Sequence, residues 1–576
     1  MISVFKKVWL FSGCEQSNIK KSVILGFFNA IFNTLQVGAI YVVLKALIEN
    51  NSSVSVAGQA FGLMFASILG KIVTQYYSQL QRTHAGYFMV ADKRIYIGNK
   101  LKLVPMGFFN RNSLGNITAI ATTILSDVEN TAPVVLVTTL GGFLNAIVFS
   151  IVILLFDWRI GLIVLAGMLV FLGITALMEK KSRKDAPQRQ VAQGLLVESV
   201  LETIQGMSVV KAFNLDSEKN KKVDKAIYKS CDKNMTLEKA MTPYIALQQT
   251  VLNLFSVLIM LAAIMLYLNG AMSLVNCLMM QIVSFIVYEH LKSAGSGTAM
   301  LRLTETSIDR ANDIDSVPIM DEGGRSITPT KHDIEFENVS FAYEKRLVLN
   351  NISFRIPEKT MTAIVGPSGS GKTTLCNLIA RFWDADTGKV FIGEHNVKEY
   401  TLNSLLANVS MVFQNVYLFA DTIENNIKFG KPDATHEEVV TAAKKACCDD
   451  FISALPEGYN TMIGEGGASL SGGEKQRISI ARAMLKDAPI VIFDEATANV
   501  DPENEERLQL AIETLTHNKT IIMIAHRLKT VRNADQILVL KDGEIVQNGV
   551  HNELIRQKGI YADFVSGRKS AIGWKI

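Results

Sequence analysis

Paired cysteines, an excess of one charge and a cleavable leader are what this chain lacks. Its six cysteines, Cys14, Cys231, Cys277, Cys376, Cys447 and Cys448, follow the spacing of neither a zinc site nor a disulfide framework. The set suits a reducing compartment. Adjacent Cys447 and Cys448 read as buried helix residues, and Cys376 as a small apolar residue packed behind a loop. Lysine and arginine number 58 against 54 acidic residues. A net charge of +4 is too small to imply a nucleic-acid partner and matches the basic bias of membrane proteins. The segment 1–11 sets Lys6 and Lys7 among Val4, Phe5, Val8, Trp9 and Phe11. It is too short to span a bilayer and carries no convincing cleavage site. An amphipathic helix lying on a membrane surface suits it better.

Apolar residues are plentiful: 49% of the chain, against 19% charged, with a mean hydropathy of +0.23. The average hides a split. Residues 1–300 hold long apolar runs, whereas 331–576 read as an alternating α/β domain. Six runs reach the ~20 residues of a bilayer crossing: 22–48, 57–81, 132–156, 160–178, 243–268 and 271–290. Thirteen Lys and Arg lie between spans four and five, and six between spans two and three. The other connections are short, with Arg159 their one basic residue. The basic connections are therefore expected in the cytoplasm, with both termini. They lack Pro/Gly clusters and keep helical periodicity, so the helices should continue below the membrane. Each must reverse, one within Pro105–Asp127 and the other within Glu202–Phe213. A short helix at each tip is placed to touch the following domain.

Polar side chains inside spans are costly in lipid. Asn29, Asn33 and Gln36 share a face of span one; Cys277, Gln281, Ser284 and Tyr288 share one of span six. Span five offers Gln248, Gln249 and Asn253. Each residue reads equally as a helix–helix hydrogen bond or as cavity lining. Glu289 and His290, near the inner end of span six, are candidates to gate, to bind solute or to pair. Residues 291–332, punctuated by Gly295, Gly297, Pro318, Gly323, Gly324 and Pro329, form a linker. The domains are expected over 1–320 and 333–576.

The second half carries chemistry. Gly366-Pro367-Ser368-Gly369-Ser370-Gly371-Lys372-Thr373 is a complete phosphate-binding loop between an apolar strand and a helix start. Its glycines let backbone N–H groups close on phosphates at a helix N-terminus. Lys372 is placed for the β- and γ-phosphates and Thr373 for Mg²⁺. The apolar run 490–493 ends in Asp494 and Glu495. Asp494 suits the Mg²⁺ shell, and Glu495 suits polarising an attacking water. The run 520–525 ends in His526, at the strand end where α/β sheets bind ligand, so His526 is a candidate γ-phosphate contact. Tyr343 is placed to stack on adenine, and Gln414 to bond Mg²⁺ or water. Leu470-Ser471-Gly472-Gly473-Glu474 is a second, rarer motif.

Together these residues resemble the ATP-binding cassette family across the ATP half. Tyr343 resembles the A-loop aromatic, 366–373 with adjoining Thr374 the Walker A motif, and Gln414 the Q-loop. Residues 463–467 resemble the X-loop, 470–474 the signature, and 490–495 Walker B with its catalytic Glu495. Asp501 matches the D-loop aspartate and His526 the switch histidine. Six spans before one cassette resemble a half-transporter of the exporter-type fold. The resemblance implies a dimer, homomeric or heteromeric, in which Ser471, Gly472 and Gly473 of one chain cap the ATP held by the other. Two departures stand out: Glu474 where Gln is usual, and Ala498-Asn499-Val500-Asp501 where Ser-Ala-Leu-Asp is usual. Both wordings also occur in the exporter-fold subgroup that includes siderophore importers.

The fold expected is a membrane all-α six-helix domain followed by a soluble α/β P-loop NTPase domain. The leading function is ATP- and Mg²⁺-dependent movement of an amphiphilic small molecule, peptide or lipid across the cytoplasmic membrane, outward. The alternative is uptake of a siderophore or metal chelate. A third reading, a membrane-anchored ATPase that transports nothing, fits poorly with six spans, two candidate coupling tips and a complete catalytic set.

Overall fold

A computed structural model describes residues 2–50, 53–111, 114–213, 221–467, 470–494, 502–524 and 531–572. The chain falls into two compact units. One is Met1–Lys102 with Arg111–Val317; the other is Leu103–Asn110 with Pro318–Ile576.

The first unit is helical. It comprises α1 (Ile2–Phe11), α2 (Gln16–Ile48), α3 (Val54–Leu101), α4 (Gly107–Arg111), α5 (Leu114–Ala119), α6 (Leu125–Phe156), α7 (Trp158–Gln205), α8 (Met207–Ala212), α9 (Lys221–Leu268), α10 (Leu274–Ile286) and α11 (Glu289–Asn312). Most of α4 groups with the second unit. Six helical stretches are long and apolar enough to cross a membrane. Helices α3, α7 and α9 have 48 residues each. At 1.5 Å per residue each extends about 72 Å, more than twice the ~30 Å hydrocarbon core. The helices thus run well past the apolar windows, as their uninterrupted periodicity predicts.

The three short connections restart their helices with caps. Ser53 Oγ accepts from Val56 N–H at 3.4 Å, Asp157 Oδ1 from Arg159 N–H at 2.9 Å, and Ser273 Oγ from Asn276 N–H at 3.3 Å. Each satisfies a donor that the new helix leaves orphaned. The first reversal is tighter than its sequence span: helix resumes at Leu114 and passes through a wide turn at Ile120–Ile124 into α6. Span six breaks at Val287–Tyr288. There Tyr288, fully buried, donates its hydroxyl to Val164 O at 3.2 Å, and Gly167 of α7 supplies the room. Helix α1 buries Val4 and Val8, exposes Trp9 and Leu10, and pairs Lys7 with Glu305 and Asp309 of α11.

The second unit holds twelve strands among the described residues. They are β1 (Ile334–Tyr343), β2 (Arg346–Ile356), β3 (Met361–Val365), β4 (Thr387–Ile392), β5 (His395–Asn396), β6 (Val409–Val412), β7 (Asp421–Thr422), β8 (Met462–Ile463), β9 (Ile490–Asp494), β10 (Thr520–Ile524), β11 (Gln536–Lys541) and β12 (Glu544–Gly549). The main sheet has order β12-β11-β3-β10-β9-β6 and is parallel except at β12. Strands β9 and β10 are wholly buried, as expected of a sheet covered on both faces. Val491 and Phe493 pack into one core and Ile490 and Ile492 into the other, following the strand alternation. A four-stranded antiparallel sheet, β2-β1-β4-β5, carries Tyr343 at the end of β1.

Candidate functional site

The register of the parallel strands assembles the nucleotide site. Ile524 of β10 pairs with Ile364 of β3 and with Asp494 of β9, and Val412 of β6 pairs with Phe493. The carboxyl ends of four strands therefore align, where open α/β sheets bind ligands. The phosphate loop leaves β3, Asp494 closes β9, and Gln414 follows β6 by two residues.

Backbone geometry explains the loop's glycines. Gly366 has φ +154°, and a side chain there would collide with the Leu540 carbonyl. Gly371, at φ +103°, caps the helix Lys372–Ile379. Lys372 is only 6% exposed, and its ammonium donates to the Gly366 and Pro367 carbonyls at 3.1 and 2.8 Å. The charge is thus folded over the loop from within. Ser370 is 4% exposed and its Oγ has no partner among the described residues. A buried hydroxyl left unpaired is costly, and a phosphate oxygen in the loop is the group it fits. Ser368 and Gly369 form the exposed crest.

Thr373 and Asp494 come together: the hydroxyl donates to Asp494 Oδ1 at 3.3 Å. A hydroxyl beside a carboxylate is a hard-oxygen pair that suits Mg²⁺. Behind them Cys376 is fully buried, and desolvation, with the Asp494 charge, pushes its thiol well above the ordinary range. It stays a neutral packing residue. Tyr343 meets the helix after the loop, with Thr374 Oγ1 donating to its hydroxyl at 3.3 Å. Phe341 and Trp383 hold the Tyr343 ring edge-on, with centroids 4.9 and 5.4 Å away.

At the signature, Ser471 caps the helix Gly472–Lys486. Its Oγ accepts from Glu474 N–H at 3.4 Å, while Glu474 Oε2 accepts from the Ser471 N–H and hydroxyl, both at 2.8 Å. This is a reciprocal capping box, and it gives Glu474 a local reason to be a carboxylate. Glu495, Ala498–Val500, Asp501 and His526 lie outside the described residues.

The polar stripes of the membrane unit are largely helix–helix joints. Asn29 donates to Thr74 Oγ1 at 3.0 Å, Asn33 to Asn145 Oδ1 at 3.1 Å, and Gln281 to the Met260 carbonyl at 3.0 Å. Gln248 donates to Thr175 Oγ1 at 2.7 Å, whereas Gln249 and Asn253 stay exposed. Cys277, Ser284 and Tyr288 are buried. Gln36 makes no hydrogen bond to a described residue. One charged group stands apart from the stripes. Lys71 of α3 is half-buried within a span, and its ammonium makes no ion pair with a described residue. It lies within electrostatic reach of His290, as does Glu289. The Glu289 side chain, 69% exposed, pairs loosely with Lys292 at 3.8 Å. His290 lies against the Phe149 ring, with centroids 6.5 Å apart.

A phosphate loop and a strand-end aspartate, joined in one chain to six membrane-length helices, define a membrane-bound P-loop ATPase. Comparison narrows this to a family. The ABC transporter family model matches residues 349–498, and the ABC transporter transmembrane region model matches residues 14–289. The chain is 32% identical to the "ATP-dependent lipid A-core flippase" of Haemophilus influenzae, over 98% of this chain and 97% of the relative. It is 34% identical to the protein of the same description from Syntrophus aciditrophicus, over 84% and 81%. A solved bacterial Atm1-family ABC exporter with ATP bound superposes with a TM-score of 0.87 at 24% identity, covering 96% and 98%. The chain belongs to the ABC transporter family and is an ATP-hydrolysing half-transporter with the exporter-type fold.

Proposed function

We propose that the protein moves an amphiphilic lipid with an anionic headgroup outward across the cytoplasmic membrane, as a dimer of two half-transporters. The full-length similarity to proteins described as lipid A-core flippases carries this reading. It favours lipid export over uptake of a metal chelate. Lys71 supports the headgroup class: a cation inside a span with no ion pair among the described residues is expensive in lipid and calls for an anionic partner. Basic-residue bias supports a cytoplasmic position for both termini and the ATP half. Two copies of this chain, or one copy and a second half-transporter, are both compatible with such a dimer.

At that site Tyr343 stacks on adenine, the 366–371 backbone and Lys372 hold the phosphates, and Thr373, Asp494 and Gln414 hold Mg²⁺. Bound there, Mg²⁺ would supply neutralisation of charge on the transferred phosphoryl group. Glu495 polarises the attacking water and His526 steadies the γ-phosphate. Ser471, Gly472 and Gly473 of the facing chain present a helix N-terminus to the same phosphates, and Asp501 is assigned to the same composite site.

The test is transport in proteoliposomes. A fluorescent anionic glycolipid should change leaflet with ATP and Mg²⁺, and a zwitterionic lipid should move more slowly. Lys71→Gln should weaken stimulation of ATPase by the anionic lipid while sparing basal turnover. Equal stimulation of wild type and Lys71→Gln by both lipids overturns the headgroup assignment. ATP-driven accumulation of a ferric chelate without lipid movement overturns the export reading.

A further inference from the structure

The segment Leu103–Asn110 comes after the long helix α3, yet it groups with the ATP half. Its contacts are specific. The Leu103 carbonyl accepts from Met320 N–H at 2.8 Å, and Met106 N–H donates to the Phe382 carbonyl at 3.0 Å. Gly107 faces the next residue: a Cβ placed on it would stand 3.2 Å from Trp383 Nε1. The indole and the segment's backbone are therefore in close contact, and a larger residue at 107 would displace one of them.

Trp383 touches a second element. Its ring meets that of Tyr343 edge-on, with centroids 5.4 Å apart and planes 84° apart. Tyr343 is in turn bonded to Thr374 of the phosphate-loop helix. The preceding residue, Phe382, stacks on Phe413 at 6.4 Å with planes 10° apart, and Phe413 adjoins Gln414. Two neighbouring aromatics thus join one backbone segment to both ends of the nucleotide site.

The pair is held stiffly. Arg381, 4% exposed and in the left-handed region at φ +51°, donates to the Tyr400 carbonyl at 2.9 Å, the Met320 carbonyl at 2.6 Å and Asp384 Oδ1 at 3.0 Å. A non-glycine residue in that conformation persists where its surroundings over-determine it. A loop so fixed cannot absorb a displacement of Trp383 by drifting. With only two side-chain torsions the indole transmits movement instead of dissipating it.

We propose that Trp383 is a positioning residue that couples adenine occupancy at Tyr343 to the segment around Gly107. The proposal rests on the assignment of Tyr343 to the adenine. When adenine stacks on Tyr343, the edge-on indole is fixed, and with it the backbone at Met106–Gly107. Because coupling between two equilibria is reciprocal, a change at Gly107 must alter adenine affinity through Trp383.

The test is a double-mutant cycle on the full-length protein in nanodiscs, read by binding of mant-ATP, labelled on the ribose and free at adenine. Gly107→Val should weaken mant-ATP binding about 5- to 10-fold, the lower end of a typical coupling. It should raise KM for ATP while kcat stays within about twofold, and leave competition by inorganic tripolyphosphate, which has no adenine, unchanged. On a Trp383→Ala background the same substitution should change affinity by less than about twofold. Should Trp383→Ala not fold, Trp383→Phe replaces it, since a shorter ring leaves Gly107 clear. Equal effects of Gly107→Val in both backgrounds, no effect in either, or an equal loss of tripolyphosphate binding overturns the proposal. Tyr343→Ala separates the two assignments: unchanged mant-ATP affinity in that variant removes the adenine reading itself.

Discussion

The two halves of this chain use polar residues in opposite ways. In the ATP half, Lys372 and Thr373 at one helix start meet Asp494 at a strand end, and the buried hydroxyl of Ser370 has no partner among the described residues. In the membrane half, Asn29, Asn33, Gln248 and Gln281 spend their hydrogen bonds on neighbouring helices. A soluble domain satisfies its backbone through sheets and keeps spare polar groups for chemistry. A membrane domain gains little hydrophobic drive between helices and uses polar side chains as joints. A polar residue in a span is therefore weaker evidence for a solute than the same residue at a strand end is for a nucleotide.

The largest expected effect lies on the chemistry side of that contrast. Glu495→Gln should lower ATP turnover by about 10²–10⁴-fold, the usual range for loss of a general base, while ATP remains bound. Phosphate release measured beside retained ATP checks it, and turnover near wild type in folded protein would move the base elsewhere. Lys372→Ala should act on binding. Losing a charged hydrogen-bond donor costs about 1.5–3 kcal/mol, or roughly 10- to 150-fold in Kd for ATP. Titration with a fluorescent ATP analogue reads it directly, and an unchanged Kd would detach this loop from the phosphates.

The geometry of the glycine loop and its approach to Asp494 was legible because spacing along the chain dictates it there. A strand, a glycine loop and a helix leave little freedom, and the apolar run before Asp494 could only be a covered parallel strand. The six spans were equally legible from length and apolarity, and the helix extensions beyond them from unbroken periodicity. Three things were not. Lys71 was visible in span two but gained no role, because a single cation within an apolar run shows no periodicity. Trp383 was passed over because its meaning lies in two neighbours, Gly107 and Tyr343, far apart in sequence. The break at Tyr288 was hidden because its cause is a pocket at Gly167 on another helix, and no proline or glycine marks it locally. In each case the missing information is a tertiary contact, which single-chain periodicity cannot encode.

A medium effect sharpens the membrane side. Asn33→Leu removes the donor to Asn145 and should cost about 0.6 kcal/mol, at most ~2, the range for hydrogen bonds between membrane helices. Its signature is a lower unfolding temperature with unchanged solute dependence of ATPase. Gln36, with no bonded partner among the described residues, should behave oppositely. Gln36→Leu should leave stability alone and shift the solute concentration for half-stimulation. If Asn33→Leu shifts solute dependence at constant stability, the joint reading fails there and the two halves differ less than their hydrogen bonds imply.

The smallest effect concerns Glu474, whose departure from the usual signature residue is a matter of local helix physics. Its carboxylate accepts both the N–H and the hydroxyl of Ser471, and it sits in the first turn, where negative charge is favourable. A glutamine at 474 keeps an acceptor oxygen for the Ser471 N–H but gives up the charge. Glu474→Gln should therefore lower stability by only about 0.3–1 kcal/mol, the size of a first-turn charge effect at a helix N-terminus. Glu474→Ala removes the back-bond as well and should cost about 1 kcal/mol or slightly more. Salt should shrink the first loss, because it screens the charge, and leave the back-bond part of the second. Thermal melts at low and high salt, read beside steady-state ATPase, decide the matter. Turnover within about threefold of wild type in Glu474→Gln supports a capping role. A loss of turnover comparable to that of Glu495→Gln, at undiminished stability, would place the Glu474 carboxylate in the chemistry itself and remove the distinction between scaffold and catalyst at the signature.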